Sequence, residues 1–333
     1  MINKAELVRD YIRKYIDLAL KHKKQYSKRY IATVIFNENP DLFTDFEAVR
    51  HEIRRQTGAN GNKKIVDGYL AEQFALIPEA LREVETTDPF VVPKVYNKTL
   101  WIADVHSLFY CRKSLEIAID IGIKNNCNSI IILGDYMDFY GDSKFDKNPK
   151  LSIDFFEREQ ELVQDLLKMF QEIFGYVVLK EGNHDRRREN RIFHIASQKP
   201  ELADYAKLSD FLFFDGCTVN FVEDYRHIIY GKLNGIHGHE YFGGGGIHIA
   251  HNRLLKAFDS IISAHSHRGE SKIMTDINKQ IFGSWALGCM CKLTPRYAPK
   301  NNWVNGFAIT EMEDNGDFSV DNRAIYNNKT FSI

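Results

Sequence analysis

Residues 129–138 read Ser129-Ile130-Ile131-Ile132-Leu133-Gly134-Asp135-Tyr136-Met137-Asp138. Three isoleucines and a leucine in an unbroken row suit a strand buried on both faces. The glycine permits a sharp exit from that strand, and acids follow at Asp135 and Asp138. The same shape recurs along the chain. Thr99–Ala103 runs into Asp104-Val105-His106, and Val177–Lys180 leads to Gly182-Asn183-His184-Asp185. Asn234–Ile236 runs into His237-Gly238-His239, and Ile261–Ala264 into His265-Ser266-His267. In open α/β sheets ligands gather at the carboxyl ends of strands. This repeated unit, an apolar strand with a polar tip, therefore decides both the fold and the place to look for chemistry.

Working outward, further strands are expected at Tyr176–Leu179, Thr218–Val222, His227–Tyr230, Ser260–Ser263, Gln280–Ser284, Gly306–Ile309 and Asp317–Val320. Apolar residues at helical spacing predict helices over Ser114–Asn125 and Phe155–Phe174. Early βαβ units followed by a run of strands predict an α/β fold with two stacked sheets and helices outside. This large domain takes residues 97–333. Residues 76–96 contain Pro78, Pro89 and Pro93 and read as a linker.

Residues 1–75 read as a small all-α domain. Val8, Ile12, Tyr15, Ile16 and Ala19 form one apolar stripe. Ser27 is placed to cap a second helix that stops before Pro40, and Thr44 with Glu47 has capping-box spacing for a third. That third helix runs to Gly58, a left-handed cap, and a turn follows at Ala59-Asn60-Gly61-Asn62. Three short helices with Arg50, Arg54 and Arg55 on the last resemble a helix-turn-helix module, which sets its recognition helix in a DNA major groove. The charge pattern agrees. Residues 1–64 carry 14 Lys/Arg against 8 Asp/Glu, a net +6, while the rest of the 333-residue chain nets −7.

Composition excludes other classes. Apolar residues make up 44% and charged residues 27% of the chain, unlike a disordered or collagenous protein. No apolar run reaches the ~18 residues of a membrane-spanning helix. The charged start, Met1-Ile2-Asn3-Lys4, has no secretory h-region. Five cysteines read as reduced thiols, so a cytoplasmic protein is expected. Cys289-x-Cys291 lacks a second pair and is not expected to hold zinc.

Aspartate, asparagine and histidine at the strand ends make a mixed nitrogen and oxygen donor set. That set suits two borderline divalent ions (Mn, Fe, Zn, Ni or Co), with manganese favoured. The donors are too many for one ion and suit two that share a carboxylate. Asp135 is the natural bridge, because a carboxylate offers two oxygens. Two such ions can activate water and clamp the oxygens of an in-line displacement at phosphorus.

The order D-x-H, GD, GNHD, HG and HxH, carried by Asp104–His106, Gly134-Asp135, Gly182–Asp185, His237-Gly238 and His265–His267, resembles the calcineurin-like metallophosphoesterase family over residues 97–312. The resemblance implies a four-layer sandwich of two mixed β-sheets flanked by helices. It implies Asp104, His106 and His267 on one ion, Asn183, His237 and His265 on the other, and Asp135 between them. His184 would protonate the leaving oxygen, held by Asp185 or by a carboxylate such as Asp138. His239 is the alternate to His237. Ala264 stands where the family pattern has glycine. A narrower resemblance, to phosphoesterases of phages and prophages, rests on GNHDRR at 182–187, PELADYAKLSDFL at 200–212, HGHE at 237–240 before a glycine run, and YAPKNNW at 297–303.

Arg186, Arg187 and Arg188 follow GNHD directly. Arg186 is the candidate for the substrate phosphate, with salt bridges to Glu181 and Glu189 as its other fate. Asp138 and His239 are further candidates at the substrate. Gly243–Gly246 can present backbone N–H groups, Tyr297 and Trp303 can stack a base, and Tyr136 and Phe139 can wall the pocket. The leading expectation is a two-metal phosphodiesterase or nuclease acting on nucleic acid or nucleotides. The alternatives are a phosphomonoesterase on protein or small-molecule phosphates, and a nucleic-acid-binding regulator with a structural metal site.

Overall fold

The structure, a computed structural model, describes residues 3–24, 26–57, 88–143, 155–205, 207–223, 225–241, 246–295 and 298–333. The expected linker up to residue 87, the turn at 59–62, Gly243–Gly245 and Tyr297 lie outside them. The chain divides into two compact units, Met1–Val84 and Glu85–Ile333.

The first unit holds helices α1 (Lys4–His22), α2 (Lys28–Glu38) and α3 (Phe46–Thr57). Each begins where a side chain satisfies a free backbone donor. Asn3 accepts from the Ala5 amide at 3.1 Å, and Ser27 from the Tyr30 amide at 3.1 Å. At α3 the cap is Asp45, which takes the Ala48 amide at 2.7 Å, one residue later than the expected Thr44. Val8, Ile12, Tyr15, Ile31, Ile35, Val49 and Ile53 form the core of the unit. Arg50, Arg54 and Arg55 lie on the outer side of α3. Arg50 pairs with Glu47 at 2.6 Å and Arg55 with Glu52 at 2.8 Å.

The second unit contains two mixed sheets. The strands are β1 (Phe90–Val91), β2 (Lys98–Ile102), β3 (Ser129–Leu133), β4 (Tyr176–Lys180), β5 (Asn220–Val222), β6 (Ile228–Tyr230) and β7 (Leu233–Ile236). They continue as β8 (Ile261–Ser263), β9 (Glu270–Thr275), β10 (Ile281–Ala286), β11 (Asn305–Met312), β12 (Phe318–Tyr326) and β13 (Lys329–Ser332). One sheet has the order β13-β12-β11-β2-β3-β4-β5, with β2 to β5 parallel. The other has the order β1-β6-β7-β8-β10-β9, with β7, β8 and β10 parallel. Helices α4 (Arg112–Lys124) and α5 (Phe155–Phe174) cover the first sheet. Of the later helices α6 (Arg187–Ala196), α7 (Leu208–Leu212) and α8 (Ile249–Ala257), α8 covers the second. The result is the expected four layers. Among the described residues, no helix is long and apolar enough to cross a membrane.

The two-residue period of the central strands explains why both sheet faces are apolar. Ile130, Ile132, Val177 and Leu179 face the helices with Leu115, Val163 and Phe170. Ile131, Leu133 and Val178 face the second sheet with Ile228, Leu233 and Ile262. Trp101 is wholly buried between the sheets. Its indole N–H donates to Thr310 Oγ1 at 2.7 Å, and its ring lies so close to Gly235 that a Cβ there would sit 2.9 Å away. Trp101→Ala leaves a large void and an unused hydroxyl, so a loss of about 3–5 kcal/mol is expected in urea unfolding.

Candidate metal centre

Strands β2, β3 and β4 run parallel, so their carboxyl ends share one edge and carry Asp104, Asp135 and Asn183. Strands β7 and β8 do the same in the second sheet for His237, His265 and His267. The two edges meet. The His265 amide donates to Asp104 Oδ2 at 3.0 Å, and His237 Nδ1 donates to the Leu133 carbonyl at 2.7 Å. Within the first sheet, the His184 amide donates to Asp135 Oδ1 at 2.7 Å.

The turns that aim these side chains are strained. Asp104, His106, Asp135, His265 and His267 have φ of 50°, 46°, 48°, 68° and 58°. That left-handed region is unfavourable for residues with a Cβ, and such outliers concentrate at functional sites. Gly134 has φ +83°, and a Cβ there would lie 2.4 Å from His237 Nδ1. Only glycine lets the imidazole approach.

Nε2 atoms converge on the carboxylates. His237 Nε2 lies 3.3 Å from Asp135 Oδ2 and 3.3 Å from Asn183 Oδ1. His106 Nε2 is 4.0 Å from Asp135 Oδ2 and 3.3 Å from His267 Nε2, which is 3.4 Å from Asp104 Oδ1. With Nδ1 of His106 and His237 tied to Asp138 and to a carbonyl, Nε2 of each points inward, the orientation of metal-bound imidazoles. Three donor groups each gather within 4.8 Å: Asp135, His237 and His265; His106, Asp135 and His184; and His106, His267 and Cys291.

The electrostatics agree with a cation site. Burial would push Asp135 up, but His237, His184 and His106 hold its carboxyl well below the usual range. Burial would likewise discharge His237 and His267. Asp135 instead raises the first to about 9, and Asp104 the second to about 10. Buried Asp104 Oδ1 makes no well-aligned hydrogen bond among the described groups and lies 3.4 Å from His267 Nε2. An inward carboxylate oxygen beside imidazole nitrogens, with no well-aligned hydrogen bond of its own, fits a divalent cation. A divalent cation at ~100 times its dissociation constant adds ~2.7 kcal/mol. Manganese addition is therefore expected to raise Tm by roughly 5–10 °C, and EDTA to reverse the shift in calorimetry.

The remaining candidates separate. His184 Nδ1 donates to Asp138 Oδ1 at 2.9 Å, so Asp138 orients it. Asp185 accepts the amides of Gly182 at 2.7 Å and Met137 at 2.8 Å and ties two loops together. Arg186 faces Glu189 at 3.4 Å and Glu181 at 3.9 Å. Arg187 is the residue that sequence reasoning did not single out. Its guanidinium donates to His184 Nε2 at 2.7 Å and to the Asp138 carbonyl at 2.8 Å. His239 faces Glu240 at 3.5 Å and is absent from the donor groups that contain His237. Trp303 packs its ring 4.1 Å from that of His267. Cys291 Sγ lies 3.8 Å from His267 Nδ1, another contact without a sequence signal. Tyr136 and Phe139 belong to the core, where Tyr136 donates to the Val163 carbonyl and Phe139 packs on Phe211.

No known family profile matches the chain. The gene 54 protein of Mycobacterium phage L5 is 26% identical over 251 residues, covering 67% of this chain and 96% of the relative. That of Mycobacterium phage D29 is 26% identical over 249 residues, covering 66% and 95%. Among solved structures, a Vps29 single mutant from Entamoeba histolytica matches with TM-score 0.38, 13% identity and coverage of 70% of this chain and 96% of that one. The phosphoesterase YfcE from E. coli matches with TM-score 0.32, 12% identity and coverage of 65% and 88%. A dimetal phosphatase from Danio rerio matches with TM-score 0.33, 12% identity and coverage of 71% and 99%.

Proposed function

We propose that this protein is a phosphoester hydrolase that works with two divalent cations and acts on phosphodiesters of nucleic acid or nucleotides. The carrying observation is the position of Asp135. Its carboxylate lies 3.3 Å from His237, 3.8 Å from His184 and 4.0 Å from His106, between two groups of donors. Asp104, His106 and His267 would hold one cation, and Asn183, His237 and His265 the other. Bound there, the cations would supply Lewis acidity to a water molecule and to the phosphoryl oxygens.

The chain supplies the rest. His184 stands beside the bridge with Nδ1 fixed by Asp138 and Nε2 facing Arg187. Once the Arg187 fork turns to the phosphoryl oxygens, Nε2 is free to take a proton from solvent, and the imidazolium so formed, held by Asp138, can pass it to the leaving oxygen. Arg187 thus replaces Arg186 as the phosphate-binding candidate.

A nucleic-acid substrate is supported by the basic first unit, with Arg54 exposed on α3. The test compares bis(p-nitrophenyl) phosphate with p-nitrophenyl phosphate on the manganese-loaded full chain. Higher kcat/KM for the diester is expected. Preference for the monoester would overturn the diesterase reading while keeping the hydrolase. Turnover of neither would overturn both.

A further inference from the structure

Sequence reasoning assigned nothing to Lys180 or Glu240, yet Lys180 is buried beside the centre and the Glu240 side chain is only 9% exposed. Lys180 ends β4, and its side chain is fully enclosed. Its Nζ donates to the Glu181 carbonyl at 2.9 Å and lies 3.5 Å from Glu240 Oε1. A charged ammonium taken out of water persists only beside a compensating charge.

Glu240 uses that charge in a specific way. Its carboxylate folds back on its own loop and accepts the His237 amide at 3.2 Å and the Gly238 amide at 2.5 Å. Gly238 has φ +120°, the bend that lets both amides face one carboxylate. A Cβ there would meet Arg253 Nη2 at 2.9 Å and the Ala264 carbonyl at 3.0 Å. The backbone of His237 is thus clamped from below by Glu240, while Leu133 holds its ring by Nδ1.

We propose that Lys180 and Glu240 form a positioning pair that sets the His237 imidazole and thereby the affinity of the cation shared by Asn183, His237 and His265. This rests on the two-cation reading above. The pair ties the end of β4, which leads to Asn183, to the end of β7, which leads to His237. It therefore fixes the separation of two donors from different sheets. Partners of this kind typically change metal affinity by about 10–100-fold.

The test is manganese titration of the full-length chain by calorimetry, resolving two binding steps, for wild type, Glu240→Gln, Lys180→Met, Lys180→Arg and the double variant. Each single neutral substitution is expected to weaken one step by about 10–100-fold and leave the other within about threefold. Lys180→Arg keeps the charge and should retain both steps. If a single variant fails to fold because it strands a buried charge, the Lys180→Met, Glu240→Gln double removes both charges. One of its steps should still be weak, since the substituted amide offers a single oxygen where the carboxylate offers two. Folded variants with lower Tm but both steps unchanged would overturn the proposal, and leave the cation reading standing. Wild type that binds fewer than two ions would overturn the cation reading, and the proposal with it.

Discussion

Asp135→Asn is expected to leave the chain with less than one bound ion where wild type is expected to hold two, and to lower turnover by roughly 10³-fold or more. The argument is electrostatic. Asp135 is buried, and its ionised form faces the nitrogens of three histidines. Among the described residues its carboxylate is the one that lies within reach of both donor sets, and the substitution removes its charge. An amide keeps the shape, and its oxygen still accepts the His184 amide, so folding should survive. Losing cation stabilisation of developing charge is worth several kcal/mol, and ~4 kcal/mol corresponds to 10³-fold. Elemental analysis of the purified variant beside its kinetics checks this. Two fully retained ions would remove Asp135 from the bridging role.

His184→Asn should act differently. Metal content stays at the wild-type value, and kcat falls by about 10²–10⁴-fold on a substrate with an alkoxide leaving group. On a p-nitrophenyl ester the loss should be much smaller, because that leaving group departs without a proton. The pH profile carries a second signature. Burial lowers the His184 pKa against the pull of Asp135. An acid must be protonated to act, so wild-type kcat should fall as pH rises through its pKa. The variant should lose that limb. Equal losses on both substrates, with the limb intact, would assign His184 to structure instead.

The sequence carried much of this because the strand ends are informative. A parallel strand buried on both faces leaves a continuous apolar run, and the residue after it has nowhere to go but the sheet edge. The placement of Asp104, Asp135, Asn183, His237 and His265 at the strand ends was legible for that reason. Edge strands gave no such signal. β9 reads Glu270-Ser271-Lys272-Ile273-Met274-Thr275, and β13 covers Lys329–Ser332. Each pairs on one side only and needs no two-faced burial, so neither was foreseen. The arginine triplet failed for want of phase. Helix α6 begins at Arg187, which turns Arg187 toward His184 and Arg186 toward its own glutamates. Without the helix start, three adjacent arginines are equivalent. Asp185 was legible as a site neighbour. Its attachment to the Gly182 and Met137 amides depends on a loop contact that no local pattern encodes.

The bond between Asp104 and His265 has a mechanical meaning. Asp104 leaves one sheet, His265 leaves the other, and the carboxylate of the first takes the amide of the second at 3.0 Å. The donor cluster is riveted across a seam, with Asp104 and Asp135 on one side and His237 and His265 on the other. Shear of one sheet past the other would pull apart groups that neither sheet holds by itself. The spacing of donors drawn from different sheets is thus set at the contact between strand ends, before any ligand arrives.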